Sequence, residues 1–178
     1  MSNSKLAETA AFTGFVSPKQ QFLEAYEREH ATTMKVLRAY PADKADLRPH
    51  PKCKTAKELA WVFVLERGLG TTILNDGMST MTGKAPEAPE KWEDVLTALE
   101  KSHREFADLV KTFNDVQMTQ PVTFFVAPKT PGPIKRLDFA WFLLHDQIHH
   151  RGQMSIYLRM ADAKVPSIYG PSGDEPWM

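Results

Sequence analysis

Four stretches of about 20 residues each carry apolar side chains at helical spacing, and each apolar face breaks near its midpoint into polar or charged groups. The first opens at Ser17-Pro18-Lys19-Gln20, where Ser17 can cap, Pro18 suits the first helical position and Gln20 completes a capping box. Phe22, Tyr26, Thr33, Leu37 and Tyr40 follow, and Pro41 stops the stretch. The second opens at the capping box Thr55-Ala56-Lys57-Glu58 and aligns Leu59, Val62, Leu69 and Ile73. It ends at Asn75 and Gly77, residues that tolerate the left-handed backbone of a helix exit. Pro86 and Pro89 punctuate a loop before the third stripe: Trp92, Val95, Leu99, Phe106, Val110 and Phe113, closing near Asn114. The fourth runs from about 134 to 160, with Phe139, Phe142, Leu143, Ile156, Tyr157 and Met160 apolar.

Four amphipathic helices without alternating strands predict an all-α four-helix bundle. The run Val122-Thr123-Phe124-Phe125-Val126 has no obvious strand partner and reads as loop. Two connections, 41–54 and 117–133, are long, so at least one is expected to cross over the bundle. The tail, 165–178, is expected to be an ordered coil across the helices, since Ile168, Tyr169 and Trp177 would otherwise face water. A chain of 178 residues suits one domain, here 17–178 behind a flexible arm, 1–16.

Lys and Arg number 22 against 22 Asp and Glu, and no basic run stands out, so a basic face could arise only by folding. That balance argues against a nucleic-acid partner. Cys53 is the sole cysteine, which excludes an intramolecular disulfide framework and a CxxC zinc site. No leader-like or membrane-spanning run is evident, so the expectation is a cytoplasmic protein that does not enter membranes.

The interruptions are His30 in the first stripe, Glu66 in the second, Ser102/His103 in the third, and Asp146, His149/His150 and Gln153 in the fourth. Side-by-side packing would bring them to one depth. Carboxylates and imidazoles inside a bundle must pair, hydrogen-bond or bind a metal, because a lone buried charge costs several kcal/mol. Buried histidines often serve only as hydrogen-bonding groups. The fourth stretch is denser: His145/His149 and Asp146/His150 are both i,i+4 pairs, about 5–6 Å apart on one helix face, which suits two ligands of one ion. The pairs point about 100° apart, so only one faces the core squarely. Extending the Phe139–Phe142–Leu143 stripe favours Asp146/His150, with His149 at its edge and His145 at the boundary.

The segment Leu144-His145-Asp146-Gln147-Ile148-His149-His150-Arg151-Gly152-Gln153 closely resembles the terminal helix of the DinB/YfiT-like four-helix bundle family, whose signature is a histidine directly before Arg-Gly-Gln. The segments Val165-Pro166-Ser167-Ile168-Tyr169-Gly170-Pro171-Ser172 and Lys57-Glu58-Leu59-Ala60-Trp61-Val62-Phe63-Val64-Leu65-Glu66 also resemble the family, the former one subgroup of it. The resemblance implies a divalent ion, often nickel or zinc, held by one histidine on the second helix and two on the fourth. His150 matches the last of these. Asp146 and Val62 stand where the family has its other two histidines. Asp can ligate and Val cannot; Glu66 can supply the missing ligand, and His149 or His145 can shift in. A Glu66–Asp146–His150 set would be oxygen-rich and tolerant of manganese or iron. Equally, the metal can be absent and the polar layer kept as a hydrogen-bonded network. Gln153, His30 and His103 would support the ligands from behind. Gln153 also reads as a core hydrogen-bonding residue, and Arg151 as a helix-surface ion pair.

Three functions compete. The resemblance implies a metal-binding protein of hydrolase or thiol-transferase ancestry, with Glu66 or His149 as general base if not a ligand. Glu27-x-x-His30 and Glu100-x-x-His103, with Glu66 and Asp146, match the ligand inventory of a di-metal carboxylate bundle. A stress-associated dimeric bundle without metal would instead use exposed Trp61, Phe63 and Trp141 as an interface. The resemblance implies a homodimer. Cys53 and His50 read as incidental loop residues, and the substrate is not legible.

Overall fold

The computed structural model describes residues 16–76, 78 and 84–178. Residues 1–15 of the expected arm lie outside the described residues. Helix α1 spans Pro18–Arg38, α2 Ala56–Asp76, α3 Trp92–Thr112, α4 Asp115–Thr119 and α5 Arg136–Met160; strands β1 and β2 span Pro121–Ala127 and Thr130–Lys135. The four long helices form the expected bundle. Ser17 accepts from the Gln20 amide, but the Gln20 side chain bonds Glu24 and does not reach back, so only half of the expected box forms. At α2 both halves form: Thr55 Oγ1 accepts from the Glu58 amide at 3.1 Å, and Glu58 Oε2 from the Thr55 amide at 2.7 Å.

The segment read as loop is a correction. Val122–Val126 lies in β1 and pairs antiparallel with β2, Val122 opposite Ile134 and Phe124 opposite Gly132. The partner escapes notice because Pro131, Gly132 and Pro133 are poor strand formers. In a two-stranded ribbon prolines two apart point to the same edge, where a missing N–H costs no ladder bond. Gly132 sits where a Cβ would come within 2.7 Å of Val126. Phe124 packs on Phe139 and Phe142, ring centroids 4.8 and 5.9 Å away, clamping the hairpin to the start of α5.

Two apolar clusters form the core. One gathers Leu37 of α1, Leu59 and Phe63 of α2, Val95 and Leu99 of α3, and Met154 and Leu158 of α5. The other gathers Phe22, Ile73, Phe106 and Phe139. Thus α1 and α5 run one way and α2 and α3 the other. Each helix has two neighbours: α2 packs on α3 and α5, and α1 on α3 and α5. The connections 41–54 and 117–133 therefore cross the diagonal at opposite ends. The one that must return along the bundle is that between α2 and α3. Its last residues lie beside the start of α2, where Trp61 Nε1 donates to the Pro86 carbonyl and Lys57 Nζ to that of Glu90. Gly70 lets α2 approach its neighbours, for a Cβ there would meet Phe106 at 2.6 Å and Leu143 at 2.8 Å.

Between the two clusters lies the polar layer, and its largest member, Arg151, is not the surface residue that the sequence suggests. Arg151 is 1 % exposed. Its guanidinium pairs with Glu29 at 2.6 Å and also donates to the Glu29 carbonyl, Thr33 Oγ1 and the Tyr169 hydroxyl. Tyr169 in turn donates to Glu29 at 2.7 Å. The buried face of α5 runs Phe139, Leu143, Gln147, Arg151, Met154 and Leu158. Phe142, assigned to that face from sequence, is half exposed because its cover is the hairpin. This rotation sends Arg151 inward and leaves Gln153 exposed.

The tail is ordered across α1 and α5, held by Arg159–Asp174 at 2.6 Å and Lys35–Glu175 at 2.8 Å. Ile168 packs on the core, whereas Tyr169 and Trp177 remain exposed. Of the expected interface residues, Phe63 is fully buried and Trp61 and Trp141 are half-buried. Removing one partner of a buried ion pair strands the other. Arg151→Ala should therefore lower the unfolding free energy by about 3–5 kcal/mol in urea, while Arg159→Ala, at an exposed pair, should change it little.

Candidate metal centre

The polar layer is three groups at one depth. Glu29, Arg151 and Tyr169 occupy the α1–α5 side. The interior holds Tyr26, His30, Arg67 and His103. The α2–α5 groove holds Glu66, Asp146 and His150. In that groove one ligand atom from each of Glu66, Asp146 and His150 lies within 4.8 Å of the other two. His150 Nε2 is 3.2 Å from Glu66 Oε1 and 3.8 Å from Asp146 Oδ2. Glu66 is buried and the other two are partly exposed, so the group opens at the surface.

Burial pushes the Glu66 carboxyl up to about 7, against the pull of its hydrogen bond to His150 and with help from Asp146. The hydrogen bond to Glu66 raises His150 despite burial, with a contribution from Gln153. Around neutral pH the group therefore holds a proton that a cation would displace. Glu66 Oε2 is buried without a hydrogen-bond partner.

Gln153 sets the imidazole. Its Nε2 donates to His149 Nε2 at 3.0 Å, which directs its Oε1 to His150 Nδ1, also 3.0 Å away. His150 then carries a proton on Nδ1 and turns Nε2 to the two carboxylates, where the proton it shares with Glu66 is the one a cation would replace. A histidine whose far nitrogen is fixed by a polar partner is the usual arrangement of an imidazole ligand. The donor set thus fits a divalent cation.

His149 and His145 are exposed and outside the group; His145 packs on Trp141, 5.8 Å between centroids. His30 and His103 lie among other residues. They stack face to face at 3.6 Å, with Tyr26 on the far side of His103 at 4.4 Å. Arg67, 1 % exposed, donates to Tyr26, the Phe63 carbonyl and His30 Nδ1. His103 Nε2 donates to Glu27 at 2.9 Å and its Nδ1 is buried without a partner. The four carboxylates of a di-metal site are not brought together, for Glu100 pairs with Arg38 on the surface.

Sequence reasoning passed over Arg67 and Gln147, both buried. Arg67 directly follows Glu66 and was masked by it. Gln147 is four residues before Arg151, and that spacing would have flagged both had the α5 face been drawn one residue over. Cys53, an incidental loop residue by sequence, lines a cleft of about 480 Å³ together with His150, Gln153 and Tyr157.

The architecture is a four-helix bundle in which carboxylate and histidine side chains that could hold a metal face each other across two helices. The chain belongs to the DinB family, whose model matches residues 1–177. It is similar to the uncharacterized protein YrdA of Bacillus subtilis (strain 168), with 26 % identity over 159 residues, 86 % of this chain and 89 % of that one. Among solved structures it is similar to a DinB-like protein from Bacillus cereus ATCC 10987, at TM-score 0.68 and 24 % identity over 83 % of this chain and 95 % of that one. A second DinB-like protein, YjoA of Bacillus subtilis, matches at TM-score 0.64 and 12 % identity over 82 % of this chain and 96 % of that one. Among the described residues no helix is long and apolar enough to cross a membrane.

Burial, reinforced by neighbouring cations that include Arg67, lowers His30 and His103 from 6.5 to about 3. For groups depressed on folding, the stabilisation is complete above the unfolded value and is lost as pH falls towards the folded one. The difference in urea-unfolding free energy between wild type and His103→Gln should therefore shrink steadily from pH 7 to pH 4. A difference independent of pH would contradict a neutral His103.

Proposed function

We propose that this DinB-family protein binds one divalent cation through Glu66, Asp146 and His150, and that the centre serves hydrolase or thiol-transferase chemistry. The observation that carries the reading is the convergence of His150 Nε2 and two carboxylates on one spot, with a buried Glu66 oxygen left unpartnered. Two carboxylates and one imidazole form a harder donor set than three histidines. Manganese and iron are therefore favoured over what a histidine-only site would take, and zinc and nickel remain accommodated. A cation bound there would supply Lewis-acid polarisation to a ligand at an open position.

The chain's own residues do the rest. Gln153 orients His150 from behind. Glu66, titrating near neutrality, is suited to hold or release a proton beside a reacting group. Val62, one turn before Glu66, leaves an apolar wall where a third imidazole would stand. His149 is tied to Gln153 at the exposed rim, within the same chain of hydrogen bonds.

The test is elemental analysis of protein purified without an affinity tag, repeated on His150→Ala and Glu66→Gln. About one metal per chain in wild type, lost in His150→Ala and reduced in Glu66→Gln, is expected. Added metal should also raise the thermal midpoint of wild type and not of His150→Ala, since a ligand that binds only the folded state stabilises it. Metal absent from all three proteins, with no thermal response, would leave the non-catalytic bundle with a hydrogen-bonded layer as the correct reading.

A further inference from the structure

The chain is neutral overall, yet the ten residues 48–57 hold Arg48, Lys52, Lys54 and Lys57 and no acid. Folding concentrates them. All four line one cleft of about 630 Å³ at the start of α2, within the usual size of small-molecule sites. Its two acids are already engaged. Glu58 pairs with Arg48 at 3.2 Å while accepting from the Thr55 amide, and Glu87 pairs with Lys84 at 2.6 Å. Lys57 is held by Asp46 at 3.7 Å and by the Glu90 carbonyl. Lys52 and Lys54 have no acidic partner among the described residues.

The opposite wall is apolar: Trp61, Val62 and Leu65 of α2. The Trp61 ring is fixed by its bond to the Pro86 carbonyl, 2.8 Å, so the wall is preformed. Lys52, Cys53 and Lys54 are shared with the second cleft, in which His150 and Gln153 stand. Val62 and Leu65 also flank Glu66 along α2. One rim of exposed lysines thus borders both the apolar wall and the carboxylate–histidine group.

We infer that this cleft binds a small organic anion, its carboxylate or phosphate end on Lys52 and Lys54 and its apolar body on Trp61, Val62 and Leu65. The inference rests on the proposed metal-centre reading only in treating the adjoining groove as a site of ligand chemistry; recognition by charge and apolar contact needs no cation. Lysine suits such a rim, since its three donors rotate to meet either kind of oxyanion. The attraction is between exposed charges and weakens with added salt.

The experiment is a two-dimensional amide NMR titration of the metal-free full chain at constant ionic strength. The probes are phenyl phosphate, phenylacetate, inorganic phosphate and benzyl alcohol. Either aromatic anion should give saturable shifts confined to residues 48–65 and the facing turn of α5, and the tighter of the two names the head group. Inorganic phosphate should bind more weakly and benzyl alcohol not at all over the same range. Lys52→Gln/Lys54→Gln should weaken the better anion about tenfold, while retaining the folded amide spectrum and the metal content of wild type. Shifts that fail to saturate, benzyl alcohol binding as tightly as the anions, or an unchanged affinity in the double variant would overturn the inference. Because the titration uses metal-free protein, a failed anion site and a failed metal centre are told apart.

Discussion

The structure turns on the burial of ionisable groups at mid-height in a helical bundle. Apolar side chains fill both ends, and between them α1, α2, α3 and α5 each contribute charged or imidazole side chains. Such groups cannot be left alone in a low-dielectric interior. Every one has been given a partner of a different kind. Arg151 has a carboxylate and a phenol, Arg67 has a phenol, a carbonyl and an imidazole, and His30 and His103 are stacked and neutral. The layer also fixes register. Sliding any helix by one turn would oppose an apolar cluster to a buried cation.

Against that background the Glu66–Asp146–His150 group is unusual in being incompletely satisfied. The other two groups are closed by protein partners apart from His103 Nδ1. Here a buried carboxylate oxygen has none, two acids face one imidazole, and Gln153 has oriented that imidazole with its Nε2 towards them. A structural network would be expected to close on itself, because an unpaired buried polar group is costly. This group is open at a groove, whereas the unpartnered His103 Nδ1 lies in the interior, and that difference is what the proposed cation site rests on.

Much of this was legible in residue order. Capping signals and prolines located the four long helices. The midpoint breaks in the apolar stripes located the polar layer, and the His-Arg-Gly-Gln run pointed to the family. What escaped did so for identifiable physical reasons. The hairpin was hidden because half of one strand is proline and glycine, acceptable only in a ribbon with a solvent edge. Its presence then distorted the reading of α5, since Phe142 is covered by Phe124 and not by the bundle. That error rotated the helix face, so Arg151 was assigned to the surface and Gln153 to the core. Arg67 was missed because a buried guanidinium leaves no periodic trace different from that of a surface one. The lysine rim escaped because its four cations are spaced among prolines and neutral residues of 48–57, with no unbroken basic run, and only folding gathers them on one cleft.

The account stands most directly on the state of one imidazole. Long-range proton–nitrogen correlation spectra of the metal-free protein, recorded while zinc is added, resolve the two ring nitrogens of each histidine. The account predicts that His150 keeps its proton on Nδ1 while its Nε2 resonance moves to that of a coordinated nitrogen at one equivalent, with His30 and His103 unchanged. A His150 protonated on Nε2 throughout, or zinc shifts centred on His30 and His103, would contradict it.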